Sequence, residues 1–343
     1  MSAKAAIKTP PGAGNPGPEK ATHQTAPDVM VFVEGANEPG AVIGHAKAVA
    51  KTFGAGLVLV SVIEPPGAEV LATDPVEWAI RRREVAARLA VLAREFETED
   101  CEISAKVLEG QPADQICDCA AQGSHDVIVV SRGSGAEGWR TNKVALGVMA
   151  ADVGAILVVP ATPTARKTPA YSRILVPLDG SSLAESAIPK AAKLARAHDA
   201  ELILCHVTPA PVLTELGPVD PETVRLKERI AQHNRRVGLG YLDRIKGNLK
   251  DCGLLVSTRL VIGGDARRKL IDAIAESHAD IVVMASHGKS AHADVSAGDV
   301  AGFILDRSAV PVLIVRQPQG HRDQHIVRGT RPEGVRHPAD MVK

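Results

Sequence analysis

Aromatic residues are scarce in this chain: two Trp, two Tyr and four Phe make up 2% of 343 residues. Proteins that grip single-stranded nucleic acid stack bases on aromatic side chains, so that class is excluded, and the cores must be built from Ala, Val, Leu and Ile. Net charge is also lacking, with Lys+Arg and Asp+Glu both 40, which argues against a basic surface for nucleic acid. No apolar run approaches the roughly 20 residues that span a bilayer. The amino terminus carries Lys4 and Lys8 without an apolar stretch behind them. The expectation is a cytoplasmic protein with no membrane or nucleic-acid partner. The five cysteines, Cys101, Cys117, Cys119, Cys205 and Cys252, are odd in number and show no C-x-x-C spacing. Cys117 and Cys119 lie two apart on a predicted helix, about 200° around its axis, so they cannot share a metal. All five read as reduced, small hydrophobes. The phosphate-binding pattern G-x-x-x-x-G-K-[ST] is missing as well.

What is present is a repeated alternation of short β-branched runs and amphipathic stretches. Residues 1–27, with Thr9-Pro10-Pro11-Gly12-Ala13-Gly14-Asn15-Pro16-Gly17-Pro18, have no periodicity and are expected to be disordered. Strands are predicted at Val29–Val33, Leu57–Val62, Ile103–Leu108, Asp126–Ser131 and Ala155–Val159. Helices fall between them at Gly40–Phe53, Asp74–Glu99, Pro112–Gln122 and near Leu146–Asp152. After a polar linker at 161–170 the pattern restarts, with strands at Ser172–Pro177, Ala200–Val207, Leu255–Val261, Asp280–Ala285 and Pro311–Val315. Helices are predicted at Ser182–Ala197, Pro221–Cys252, Asp265–Ser277 and Gly298–Ser308. Pro189 either kinks its helix or marks a late start capped by Ser186. The tail, 317–343, is polar and aperiodic.

Strands alternating with helices define βαβ units on parallel sheets. The expected fold is α/β: two tandem doubly wound domains, 28–160 and 171–316, each with a five-stranded parallel sheet flanked by helices. The halves are duplicates. Gly110-Gln111-Pro112-Ala113-Asp114 matches Gly264-Asp265-Ala266-Arg267-Arg268, and Asp126-Val127-Ile128-Val129-Val130-Ser131 matches Asp280-Ile281-Val282-Val283-Met284-Ala285 at the same offset.

In such sheets a ligand settles beyond the carboxyl ends of the strands, where strand order reverses. That corner in the second half comprises Pro177-Leu178-Asp179-Gly180-Ser181 and Met284-Ala285-Ser286-His287-Gly288, followed by Gly298-Asp299. Asp179 can accept from a ribose hydroxyl or base amine, or cap the next helix. Gly288 and Gly298 allow backbone to approach phosphates, and a helix opening at Gly298 offers its first amides to an anion. Catalytic readings are weaker. Ser286 and His287 are adjacent, so their side chains are expected to diverge; His206 reads as packed; His287, His292 and Asp294 match no familiar metal-ligand set.

The strings Ile174-Leu175-Val176-Pro177-Leu178-Asp179-Gly180-Ser181, Leu204-Cys205-His206-Val207 and Ala285-Ser286-His287-Gly288 to Gly298-Asp299 resemble the universal stress protein superfamily. The last corresponds to its fingerprint G-x2-G-x9-G-[ST], strongly over 170–316 and weakly over 28–160. The resemblance implies an adenine nucleotide, ATP, ADP or AMP. It places base or ribose contacts at Pro177, Asp179, Val207 and Met284, and phosphate contacts at Ala285, Gly288, Gly298, Asp299 and Val300. It also implies a regulatory, non-catalytic stress-response protein whose halves pair through their fifth strands, Ile156–Val159 and Val312–Val315, with a homodimer as a further compatible assembly. Ala285 departs from the first Gly and Asp299 from the Ser or Thr. A carboxylate there repels a terminal phosphate and, as an N-cap, occupies the helix's anion site; a shorter nucleotide or a bridging Mg²⁺ relieves the conflict. In the first half Glu34 stands for Asp179 and Arg132 for His287. The longer loop with Gly133, Gly135, Gly138, Arg140 and Lys143 is weak evidence of an anion cradle, so that half is expected to be mainly structural. A scaffold that has lost nucleotide binding is the alternative function, and a weak ATP hydrolase a minor one.

Overall fold

The computed structural model describes residues 28–34, 39–65, 74–122, 125–132, 143–150, 154–160, 169–208, 210–211, 220–288 and 298–316. Both termini expected to be disordered, and most of the linker, lie outside them. In the first half the order is β1 (Asp28–Phe32), α1 (Gly40–Phe53), β2 (Leu57–Ile63), α2 (Pro75–Phe96), β3 (Ile103–Glu109), α3 (Pro112–Gln122), β4 (His125–Ser131), α4 (Lys143–Ala150) and β5 (Ala155–Val159). The second half runs β6 (Arg173–Leu178), α5 (Ser182–Glu185), α6 (Ile188–His198), β7 (Glu201–Thr208), α7 (Pro221–Asn248), β8 (Val256–Ile262), α8 (Ala266–Glu276), β9 (Ile281–Ala285), α9 (Asp299–Arg307) and β10 (Val312–Val315).

Two helices depart from the sequence expectation. The one predicted over Ser182–Ala197 is broken into α5 and α6. Pro189, in the first turn of α6, has no N–H to continue the ladder from α5. Ser186 is not the cap. Its hydroxyl donates back to Leu183 O at 2.6 Å, and Ala187 takes the N-cap position without a side-chain bond. The helix predicted to reach Cys252 stops at Asn248 and tightens into a 3₁₀ turn, Lys250–Cys252, which Gly253 ends at φ +65°.

The ten strands among the described residues form one sheet, in the order β3-β2-β1-β4-β5-β10-β9-β6-β7-β8. Within each half every pairing is parallel, and the strand order reverses between β1 and β4 and between β6 and β9. Alternate residues feed opposite faces. Val29 and Val31 join one core with Ile43, Leu89, Leu194 and Leu242 of α1, α2, α6 and α7. Met30 and Phe32 join the other with Ile116, Val148, Ile274 and Ile304 of α3, α4, α8 and α9. Both faces are therefore covered, and Val129, Leu157, Val283 and Leu313 lose all contact with water.

The halves meet where β5 and β10 run antiparallel, pairing Val158 with Val312, Leu157 with Leu313, Ile156 with Ile314 and Ala155 with Val315. Arg316 N extends the ladder to Gly154 O at 3.1 Å. On one face, α1 packs against α6 beside this seam. Tyr171, fully buried, places its hydroxyl 2.9 Å from His45 Nδ1, while His198 Nε2–H donates to Ala48 O at 3.1 Å. Lys190 and Lys193 sit over the Phe53 ring, 5.3 and 4.6 Å from its centre.

Burial pushes His45 down from 6.5 to about 4. The unfolded chain then binds more protons between those values, so this stabilisation is complete above pH 6.5 and lost progressively as pH falls towards 4. A His45→Gln variant is expected to show a flatter dependence of Tm on pH over that window. The difference between the two proteins should reach at most about 3 kcal/mol, read from denaturant melts at pH 7 and pH 4.

Candidate functional site

The site forms where β6 and β9 stop and their chains part. Beyond β6, Gly180 turns with φ +82°, a conformation that side-chain-bearing residues rarely take. This brings Ser181 beneath Asp179. Asp179 Oδ1 accepts from Ser181 N at 2.9 Å and from Ser181 Oγ at 2.6 Å. Ser181 Oγ in turn accepts from Ala184 N at 3.1 Å and caps α5. Asp179 is thus not the cap; it fixes the residue that is. Its other oxygen lies where a Cβ on Gly288 would fall. Gly288 is needed first of all to make room for that carboxylate.

Beyond β9, Ser286 N donates to Val315 O at 3.1 Å, and Gly298 N donates to Ser286 O at 2.9 Å. The second bond draws the start of α9 against the end of β9 whatever path the intervening residues take. Gly298 has β-region backbone angles, φ −64° and ψ 160°, and a Cβ there would meet nothing closer than Ser286 O at 3.5 Å. Among the described residues, no contact requires glycine at this position. Gly298, not Asp299, is the N-cap of α9, and it supplies no side-chain bond. Asp299 is the first helical residue, where its charge favours the helix dipole without closing the amide end.

Charge at the rim is shared. Asp265 caps α8 through Arg267 N at 2.9 Å, and hydrogen bonds from the Arg267 side chain and amide hold its carboxyl down at about 2. Arg267 is pushed up by Asp265 and further by Asp299, so one guanidinium offsets two acids. It also lies 5.7 Å from the centre of the Phe303 ring.

Between these elements is a cavity of about 130 Å³. An enclosed apolar cavity of about 150 Å³ accepts benzene, so the space suits one ring-sized group with the remainder of a ligand on the rim. Pro177, Asp179, Val207, Met284, Ala285, Gly288, Gly298, Asp299 and Val300 all line it. Leu178, Ala184, Ala266, Leu270, Ser286, His287 and Ala301 line it too, beyond the contacts that the resemblance implies. For Ser286 and His287, adjacency to named positions was a usable signal; Ala184, Ala266 and Leu270 come from helices whose approach no local pattern discloses.

The expectation that Ser286 and His287 diverge is overturned: His287 Nδ1 lies 3.1 Å from Ser286 Oγ, because the strand ends at Ala285 and the alternation of sides ends with it. His206 is packed. Its Nδ1–H donates to Leu178 O at 2.7 Å, and its ring meets Tyr241 edge-on at 5.7 Å. Among the described residues, no group of three His, Cys, Asp or Glu is placed to hold a metal ion. His292 and Asp294 lie outside them.

In the first half, the core-facing pattern of β1 and β6 puts Glu34 at the position of Asp179 and Phe32 at that of Pro177. Phe32 is buried in the core. Arg132 corresponds to Ser286, not to His287. Arg132 N donates to Val159 O, the last residue of β5, just as Ser286 N donates to Val315 O, the last of β10. Gly133, Gly135, Gly138 and Arg140 lie outside the described residues, as does the side chain of Lys143.

Two doubly wound α/β domains fused edge to edge, with a ligand-sized corner at one switch point, define the class of protein. The model of the universal stress protein family matches residues 27–151 and 170–316, and the chain belongs to that family. A universal stress protein of Methanocaldococcus jannaschii is 24% identical over 149 residues, covering 43% of this chain and 84% of that protein. YxiE of Bacillus subtilis, also a universal stress protein, is 26% identical over 148 residues, covering 43% of this chain and 99% of its own. The crystal structure of a universal stress protein from Archaeoglobus fulgidus covers 85% of this chain and 97% of its own, with TM-score 0.58 and 17% identity, a likeness of fold.

Gly288→Ala is expected to destabilise the protein by about 1–2 kcal/mol, since Asp179 must leave its seat or the loop must shift. Gly298→Ala should stay within about 0.5 kcal/mol of the wild type. Urea unfolding of both variants checks the contrast.

Proposed function

We propose that the carboxyl-terminal half binds an adenine nucleotide and that the protein acts as a regulatory, non-catalytic member of its family. The observation that carries this reading is convergence. Nine residues chosen from separate strings of the sequence line one cavity, with the uncapped amide end of α9 at its rim. The cavity wall of Pro177, Val207, Leu270 and Met284 is apolar and suits a planar base. Asp179, its carboxylate already oriented by Ser181, suits a ribose hydroxyl or an exocyclic amine. The first-turn amides of Asp299, Val300 and Ala301 suit a phosphate.

Asp299 sets which nucleotide. A carboxylate about 5 Å from a terminal phosphate costs roughly 3 kcal/mol at an effective dielectric of 20. Exposure and Arg267 reduce that figure. AMP or ADP is therefore favoured over free ATP, and Mg²⁺ held between Asp299 and the phosphates narrows the difference. The second reading, a scaffold without nucleotide, draws on Asp299 and on Phe32 filling the place of Pro177 in the other half.

Calorimetry with AMP, ADP and ATP, with and without Mg²⁺, separates the readings. Saturable binding of AMP or ADP is expected, weakened at least tenfold by Asp179→Ala. Asp299→Ser should tighten metal-free ATP binding by about threefold to tenfold. Silence from every nucleotide favours the scaffold, and sustained phosphate release that Asp179→Ala abolishes favours a hydrolase.

A further inference from the structure

We infer that Arg132, a residue of the amino-terminal half, is a positioning residue for the carboxyl-terminal site and acts across the seam through α9; the nucleotide part of this inference rests on the function proposed above. Arg132 follows β4, and its backbone stays within its own half, donating to Val159 O at 2.8 Å. Its guanidinium crosses over. Nη1 donates to Ser308 O at 2.6 Å and, more weakly, to Leu305 O at 3.4 Å.

Those two carbonyls belong to the last turn and C-cap of α9. The last carbonyls of a helix have no partner within it and carry the negative end of its dipole, so a guanidinium there supplies both donor and charge. Ser308 is buried, and its own hydroxyl is engaged with Val310, which leaves the carbonyl to Arg132. The other end of the same helix lines the cavity and is tied to Ser286 O through Gly298 N. Nine residues rise only about 13 Å, so a tilt of the last turn is transmitted to the first. The helix is thus pinned at its amide end by its own half and at its carbonyl end by the other.

Ser286, which holds the position of Arg132 in the second half, has a side chain too short to cross the seam, and its hydroxyl meets His287. The half with Phe32 in its corner therefore has a definite role: it orients the helix that completes the corner of its duplicate.

Full-length wild type, Arg132→Ala and Arg132→Lys are compared by hydrogen exchange of residues 299–307 and by ADP calorimetry. In Arg132→Ala, exchange of α9 is expected to rise at least tenfold while β1 and β6 keep their protection, and ADP affinity to fall about fivefold to tenfold. Arg132→Lys, which keeps the charge and offers its donors from a single ammonium nitrogen, should keep affinity within about threefold of wild type. Unchanged exchange of α9 in Arg132→Ala would overturn the tie. Faster exchange with ADP affinity unchanged would overturn the positioning role. Faster exchange in a protein whose wild type binds none of AMP, ADP and ATP would support the tie and refute the nucleotide reading alone.

Discussion

Backbone hydrogen bonding between β5 and β10 is the contact on which the rest of the structure depends. Each half alone ends its sheet in a strand whose residues are apolar on both faces: Ile156, Leu157, Leu313 and Ile314 are all fully buried in the joined molecule. Left as an edge, such a strand presents unpaired N–H and C=O groups beside exposed Val, Ile and Leu, a template for unwanted association. Running antiparallel to its duplicate satisfies those groups within one chain. Both faces of the resulting sheet then carry a core that continues from one half into the other.

The seam also explains why the two halves need not remain alike. The first half has buried Phe32 at the position where Pro177 borders a cavity in the second, and its Arg132 side chain reaches the carbonyl end of α9. The second half keeps the small residues and the carboxylate that hold its corner open. Gly288 gives way to Asp179, and Gly180 turns the chain so that Ser181 can orient it. Membership of the universal stress protein family accounts for the shared framework.

Much of this was legible beforehand because it is local. Alternation of β-branched runs with amphipathic stretches, the 154-residue offset between the duplicates and the glycines after β9 all reside in short windows, and the strands they implied appear within a residue or two of where they were placed. Misreadings arose where one bond or one extra residue decides. Ser186 has the right chemistry for a cap, yet its hydroxyl turns back to Leu183. The glycines beside them pair Arg132 with His287, whereas the ladder to Val159 assigns Arg132 to the place of Ser286. Asp299 has the residue type of a cap, but the glycine before it holds the N-cap position and Asp299 begins the helix.

Residue order alone determined the class of fold and the duplication, which follow from periodicity and repeated strings, while the nine positions that lie among those bordering the corner follow from the resemblance of those strings to a known family. Only the tertiary structure decided that Gly288 makes room for a carboxylate more than 100 positions away, that Arg267 offsets two acids at the rim, and that an arginine of one half secures a helix of the other. Apart from the local Arg267–Asp265 pair, these pairings join residues distant in sequence, and their energy depends on distance and direction in space, which no local pattern encodes.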